Sequence, residues 1–281
     1  MSDKGGIVAV NGIRRIEQHR FKVLFDVADF GGILFHAVKD KFNVPDAYRV
    51  DVKVALKDFI PKDVKPKDKK KIKDAIKSVK LENQIMGEEI PSVINEDYRC
   101  QVIQFYDIEV ENIKDASCLA LTYQNLIKPF CVLHMYDMKE EVYSLAVKRL
   151  NQTDEKQIVI ENSLVTQTFM RDVPDSSREQ FLGYVDFEQT KNKQDKVSMY
   201  KEWFYKAYML QNEKAYAKVD ALLDGNFWYD SERTARIALK YMEVVRKKNS
   251  LKKAVTNAER MKVNKSIKTA ILDLEKEDIL T

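Results

Sequence analysis

Residues 98–110 read YRCQVIQFYDIEV, and this stretch decides the fold class. Aromatic and β-branched residues dominate it, which favours extended chain. Its second half alternates, with Tyr106, Ile108 and Val110 on one side and Asp107 and Glu109 on the other. That pattern predicts a strand that enters a buried centre and leaves at a half-exposed end. Downstream, residues 114–127 read as a helix bounded by Lys128-Pro129, since a proline pushes the residue before it out of helical geometry. Residues 130–136 (FCVLHMY) form a continuous apolar run of strand length, and residues 142–150 and 158–169 read as two further strands. The order β-α-β-β-β predicts an α+β fold: a central mixed or antiparallel sheet with a helix packed on it, followed by a helical C-terminal region.

Upstream, Ile72, Ile76, Val79 and Ile85 punctuate a Lys-rich stretch, with Lys67, Lys70, Lys71, Lys73 and Lys77 mostly between them. Their spacing predicts one amphipathic helix. The first 56 residues mix short apolar runs with no clear period, and Pro45 marks a turn near residues 43–46. After Pro174 the pattern is helical. Asp175-Ser176-Ser177 is a candidate cap, residues 196–218 carry Tyr200, Trp203, Phe204, Tyr205 and Tyr208, and Gly225-Asn226 marks a break. Ser231 is a candidate cap for a helix to Asn249, and residues 251–274 continue with helical period. The expected division is an N-terminal extension (1–56), an α+β domain (57–174) and a helical region (175–281).

Across its 281 residues the chain is 44% hydrophobic and 33% charged, with only 8 Gly and 6 Pro, which favours solvated helices over a loop-rich sandwich. No apolar run reaches membrane-spanning length and no leader-like segment opens the chain, so a cytoplasmic protein is expected. Cys100, Cys118 and Cys131 lack CxxC spacing and read as buried thiols in a reducing compartment. No metal site is expected from them.

Charge is sorted along the chain. Residues 57–80 hold ten Lys against four Asp, residues 81–190 hold nine basic against 20 acidic, and residues 191–268 hold 19 basic against nine acidic. Segregation of this kind speaks to partners more than to fold.

Ile60-Pro61-Lys62, then residues 102–110 (VIQFYDIEV), 128–133 (KPFCVL) and 143–149 (YSLAVKR), follow a recurring pattern of charged helix, strand, helix and two apolar strands. In these stretches, spanning about 110 residues, the chain resembles the uncharacterised bacterial and archaeal family named domain of unknown function 4391. Members of that family are typically encoded beside DNA methyltransferases and helicases in restriction and phage-defence loci. The resemblance therefore implies an accessory role with such an enzyme as partner, and it brings no catalytic residues with it.

Candidate chemistry is sparse. Asp107, Glu109 and Glu111 share a parity on the strand, and such carboxylates can gather Mg²⁺ in a metal-dependent nuclease. The position where such nucleases carry a Lys is Glu111 here, and the alternative is a simple solvated strand edge. His134 reads as a core residue bonded to backbone, and His19 sits in a basic cluster with Arg14, Arg15 and Arg20. His36 is the third histidine. Neither a nucleophile elbow nor a phosphate-binding glycine loop is present. On the C-terminal helices, Arg233, Arg236, Lys240 and Lys247 fall on one wheel face, and Lys248 extends the positive charge. That stripe is the candidate nucleic-acid surface for DNA or RNA. The aromatic residues between 200 and 208, and Phe227-Trp228-Tyr229, read as packing groups.

The expected function is a non-catalytic accessory or adaptor protein of a restriction or phage-defence system. It would bind a larger enzyme, a helicase or methyltransferase, and touch nucleic acid, with no cofactor. The alternatives are a metal-dependent nuclease using Asp107, Glu109 and Mg²⁺, and a plain protein-interaction module.

Overall fold

The structure is a computed structural model that describes residues 41–60, 65–154 and 157–277. A 3-10 turn at Asp46–Tyr48 leads into β1 (Arg49–Val54), and α1 (Leu56–Phe59) and α2 (Pro66–Ala75) precede β2 (Ile76–Ile85). Short strands β3 (Val93–Ile94) and β4 (Arg99–Cys100) pair with each other. There follow β5 (Ile103–Val110), α3 (Ala116–Leu126), β6 (Phe130–Tyr136), β7 (Glu140–Leu150), β8 (Ile158–Val165) and β9 (Phe169–Met170). The remainder is helical: α4 (Ser176–Tyr184), α5 (Lys196–Gln211), α6 (Val219–Leu223), α7 (Ser231–Lys253) and α8 (Asn257–Glu275).

Strand order in the main sheet is β1-β2-β5-β6-β7-β8, with β9 paired to β7. β5 and β6 run parallel, because α3 carries the chain back between them; the other pairs are antiparallel. The architecture is α+β with a mixed sheet and a helical C-terminal region.

Both faces of the sheet are covered. On one, Ile108, Val110, Leu133 and Met135 pack against Ile72 of α2 and Leu119, Ala120 and Tyr123 of α3. On the other, Ile103, Phe105, Val132, Tyr143 and Leu145 meet Phe181 of α4, Tyr200, Trp203 and Phe204 of α5, and Tyr241 and Val244 of α7. Residues on both sides of position 174 thus share one core. The aromatic residues of α5 are packing groups, as their helical spacing suggests: Tyr200, Trp203 and Phe204 are fully buried. Trp203 also donates from Nε1 to the Thr190 hydroxyl at 2.7 Å.

Local differences from the sequence reading have identifiable causes. The Lys-rich helix ends at Ala75, and Ile76, Val79 and Ile85 lie on β2. Two register shifts in the β2–β5 ladder, between Ile76 and Ser78 and between Leu81 and Asn83, explain the misreading. A bulge changes which face the following residues point to. Ile76 and Val79, three apart, therefore share the core beneath α2 and α3, while Ile85 joins the opposite core. Their spacing imitates a helix.

The stretch 98–110 is likewise two strands, because Cys100 pairs with Val93 in a separate ladder. The helix from Lys196 stops at Gln211, and a break at residues 254–256 separates α7 from α8. Asp230, one residue before Ser231, caps α7 by accepting from the backbone N–H groups of Glu232 and Arg233. Asp175 caps α4 in the same way. Cys100 and Cys131 are buried, but Cys118 is exposed on the outer side of α3. His19, His36, the arginines at 14, 15 and 20, and Pro61-Lys62 lie outside the described residues. No described helix is long and apolar enough to cross a membrane.

Candidate functional site

Two charged regions stand out, and they are built differently. The first lies where β5 and β6 end. Along one face of β5, Ile103 and Phe105 give way to Asp107 and Glu109; along β6, Phe130 and Val132 give way to His134 and Tyr136. The parallel register sets Asp107 beside His134, and the antiparallel one sets Tyr143 across from His134, with Glu141 next along that face.

His134 is held from both ends. Its Nδ1 lies 2.9 Å from Asp107 Oδ1 and its Nε2 lies 3.2 Å from Glu141 Oε2. Two ionised carboxylates only accept, so this geometry suits a ring that donates from both nitrogens, the imidazolium form. Burial pulls the His134 pKa down, but the hydrogen bonds to Asp107 and Glu141 outweigh it and raise the pKa overall. The reciprocal effect holds both carboxylates down at about 2 against the opposing pull of burial.

The ring is sandwiched between Tyr136 and Tyr143, at 5.0 and 4.7 Å between centroids. Arg178, positioned by the Asp175 cap of α4, donates to Glu141 Oε1 at 2.7 Å, as does the Tyr143 hydroxyl at 3.1 Å. Arg171 lies 3.5 Å from the same carboxylate and stacks on Tyr136. Lys41 closes the far side by pairing with Asp107 Oδ2 at 2.5 Å and with Glu82. His134 is therefore a core histidine as expected, but its partners are carboxylates and not backbone.

The proposed nuclease carboxylates are thus spread among separate partners. Asp107 holds His134 and Lys41, Glu109 accepts from the Ser78 hydroxyl at 3.1 Å, and Glu111 pairs with Lys77 at 3.4 Å. Among the described residues, no group of three His, Cys, Asp or Glu side chains is placed to hold a metal ion.

The second region is the antiparallel pair α7–α8. Its root is packed: Ile237, Ala238, Tyr241, Val244 and Val245 of α7 and Ile267, Ala270 and Leu274 of α8 are buried. Beyond that, no residue from 246 to 266 is buried. There α8 restarts on a capping box, in which Thr256 and Glu259 satisfy each other's backbone N–H groups.

Residues 246–268 hold nine Lys or Arg (Arg246, Lys247, Lys248, Lys252, Lys253, Arg260, Lys262, Lys265, Lys268) against the single acid Glu259. The stripe read from the helical wheel straddles this boundary. Three of its members converge on the C-terminal end of α8: Arg233 donates to the Glu277 carbonyl at 3.0 Å, Arg236 lies 3.6 Å from its carboxylate, and Lys240 pairs with it at 2.5 Å. Cations at a helix C-terminus also meet the negative end of its dipole. Lys247 pairs with Glu243 at 2.8 Å, and Lys248 donates to the Lys214 carbonyl at 3.3 Å. Three of the five stripe residues thus have counter-charges or carbonyls at the root, and Lys247 and Lys248 lie just beyond it. Acids are nearly absent between 246 and 268.

Residues 42–273 match the family described as Domain of unknown function (DUF4391), and the chain belongs to that family. The match extends beyond the stretches that carry the visible sequence pattern and takes in most of α8. No curated protein and no solved structure matches the chain.

Proposed function

We propose that this member of the DUF4391 family is a non-catalytic cytoplasmic accessory protein of a DNA restriction or phage-defence system. It grips nucleic acid through the tip of the α7–α8 pair and offers its acidic sheet region to a larger enzyme such as a helicase or methyltransferase. The observation that carries the reading is the tip itself: eight cations and one carboxylate between positions 246 and 266, on two helix ends with no buried residue among them. A helical extension so poor in core contacts contributes little to folding, while its charge suits a phosphate backbone. Acidic residues such as Glu88, Glu89, Glu96 and Asp97 are exposed on the other charge region and suit a different, basic partner surface.

The test is retention of a labelled DNA oligonucleotide at low salt by the wild-type chain and by a Lys252→Glu/Lys253→Glu/Arg260→Glu variant. Binding that weakens steeply with salt and is lost in the variant supports the reading. Equal retention by both proteins removes the tip as the contact surface. Purification from the native host addresses the second half, and recovery with no helicase or methyltransferase counts against it.

A further inference from the structure

Where α7 leaves its packed root beside the end of α5, a cleft of about 590 Å³ opens between α4, the loop after β8 and residues 245–252 of α7. We infer that this cleft is a nucleotide subsite, which seats an unpaired base of the strand held by the α7–α8 tip; it rests on the reading above and extends it.

Its size falls within the range of small-ligand sites. The buried residues Phe169, Phe181 and Val245 form its floor, and the exposed lining residues form its rim. Lys214, Lys248 and Lys252 stand on one side, tied together where Lys248 donates to the Lys214 carbonyl, against Glu213 as the single acid of the lining. Among the uncharged polar lining residues, five carboxamides (Gln167, Gln180, Gln211, Asn212 and Asn249) stand beside Thr166 and Ser177. Gln167 comes from the loop after β8, Gln180 from α4, Gln211 from the end of α5 with Asn212 just beyond it, and Asn249 from α7.

This combination selects among anions. The side chains of an acidic peptide offer carboxylates, which use donors only. A nucleotide presents a phosphate for ammonium groups and base edges carrying donors and acceptors together, which a carboxamide matches in both senses. Lys248 and Lys252 belong both to the cleft and to the basic tip, so phosphates crossing the tip lead to it without a gap. In a duplex the bases are stacked and paired, and reaching the cleft requires unpairing. The cleft therefore adds affinity for single strands and none for duplex.

The experiment uses the full chain, a 12-nucleotide DNA single strand and its duplex followed by fluorescence anisotropy, and free adenosine 5′-monophosphate followed through side-chain amide NMR signals. In a Gln180→Ala/Gln211→Ala variant, with folding checked by thermal melting, single-strand affinity drops about tenfold while duplex affinity holds. The nucleotide shifts carboxamide signals in the wild type and not in the variant. The inference is overturned if the variant binds both DNAs as the wild type does, if it loses both equally, or if poly-glutamate shifts those signals and the nucleotide does not. Nucleotide binding without any oligonucleotide binding would keep the cleft and remove the tip; unchanged oligonucleotide binding in the cleft variant would keep the tip and remove the cleft.

Discussion

The His134 cluster and the α7–α8 tip treat charge in opposite ways. Around His134, positive and negative groups alternate at hydrogen-bond distance: Lys41, Asp107, His134, Glu141 and Arg178 follow one another, with aromatic rings above and below. At the tip, cations crowd together in solvent with one carboxylate among them. Perturbed pKa values often mark active sites, and here they mark the cluster. Yet its charges are already matched by one another, so it has little left to offer a ligand. The tip holds exposed cations such as Lys252, Lys253 and Arg260 and an unbalanced sign.

The comparison breaks most visibly at Glu141. Replacing it with Ala leaves Arg178 and the His134 imidazolium buried beside a missing partner. Stripping one member from a buried ionic group costs about 3–5 kcal/mol, so urea denaturation should show a loss of that order. A variant as stable as the wild type would mean that the cluster is not a structural tie. The same-volume Glu141→Gln variant should lose less, since it retains a hydrogen-bonding oxygen.

The tip should behave in reverse. Charge reversal at Lys252, Lys253 and Arg260 touches nothing buried, and its effect on unfolding free energy should stay within about 0.5 kcal/mol. Its effect on nucleic acid should be large: affinity at least about tenfold lower, and a salt dependence whose slope falls by about one for each phosphate contact removed. Loss of stability comparable to that of the Glu141 variant would erase the contrast between the two regions.

How much of this was legible beforehand depends on the range of the interactions. Strands β6 and β7 and helix α3 were readable because each is specified by its own run of apolar residues. β2 was not, since a bulge between Ile76 and Ser78 gives Ile76 and Val79, and a second between Leu81 and Asn83 gives Ile85, placements that only the β5 partner explains. The His134 cluster was hidden for a related reason. Asp107, His134 and Glu141 meet through sheet register, and nothing local distinguishes a histidine facing carboxylates from one facing backbone. The stripe residues Arg233, Arg236 and Lys240 were found correctly on one face, but that face meets Glu277, some forty residues on. The tip's charge imbalance is a local count and was there to be read. The cleft, assembled from four separate segments, was not.

Acidity sharpens the contrast with a smaller effect. Asp107 and Glu141 have pKa values held down at about 2 in the folded state, against roughly 4 when unfolded. Their stabilisation is present above the unfolded value and is lost as pH falls toward the folded one. His134 has a raised pKa, so its contribution is complete below about 6.5 and declines as pH rises through the folded value. The cluster therefore supports the fold best between about pH 4 and 6.5. Thermal melts of the wild type and Glu141→Gln should differ most within that window and converge toward pH 2. A difference independent of pH would show that Glu141 acts through packing alone.

The smallest expected effect lies at the boundary between the two kinds of charge. Glu277 holds Lys240 and Arg236 by its carboxylate, and the hydrogen bond to Lys240 helps keep its own pKa below the usual range. Arg236 is more than half exposed, at 55%, so the pair is screened and Glu277→Gln should cost less than about 1 kcal/mol. Its other consequence runs the opposite way. With the carboxylate neutral, Arg236 and Lys240 keep their place on α7 and lose their internal counter-charge, which extends the tip's positive surface toward the root. Affinity for DNA should then rise two- to threefold at low salt, roughly what one added weak phosphate contact supplies, and the gain should vanish at high salt. An unchanged affinity would place the root of α7 off the nucleic-acid path and confine the contact to residues beyond Val245.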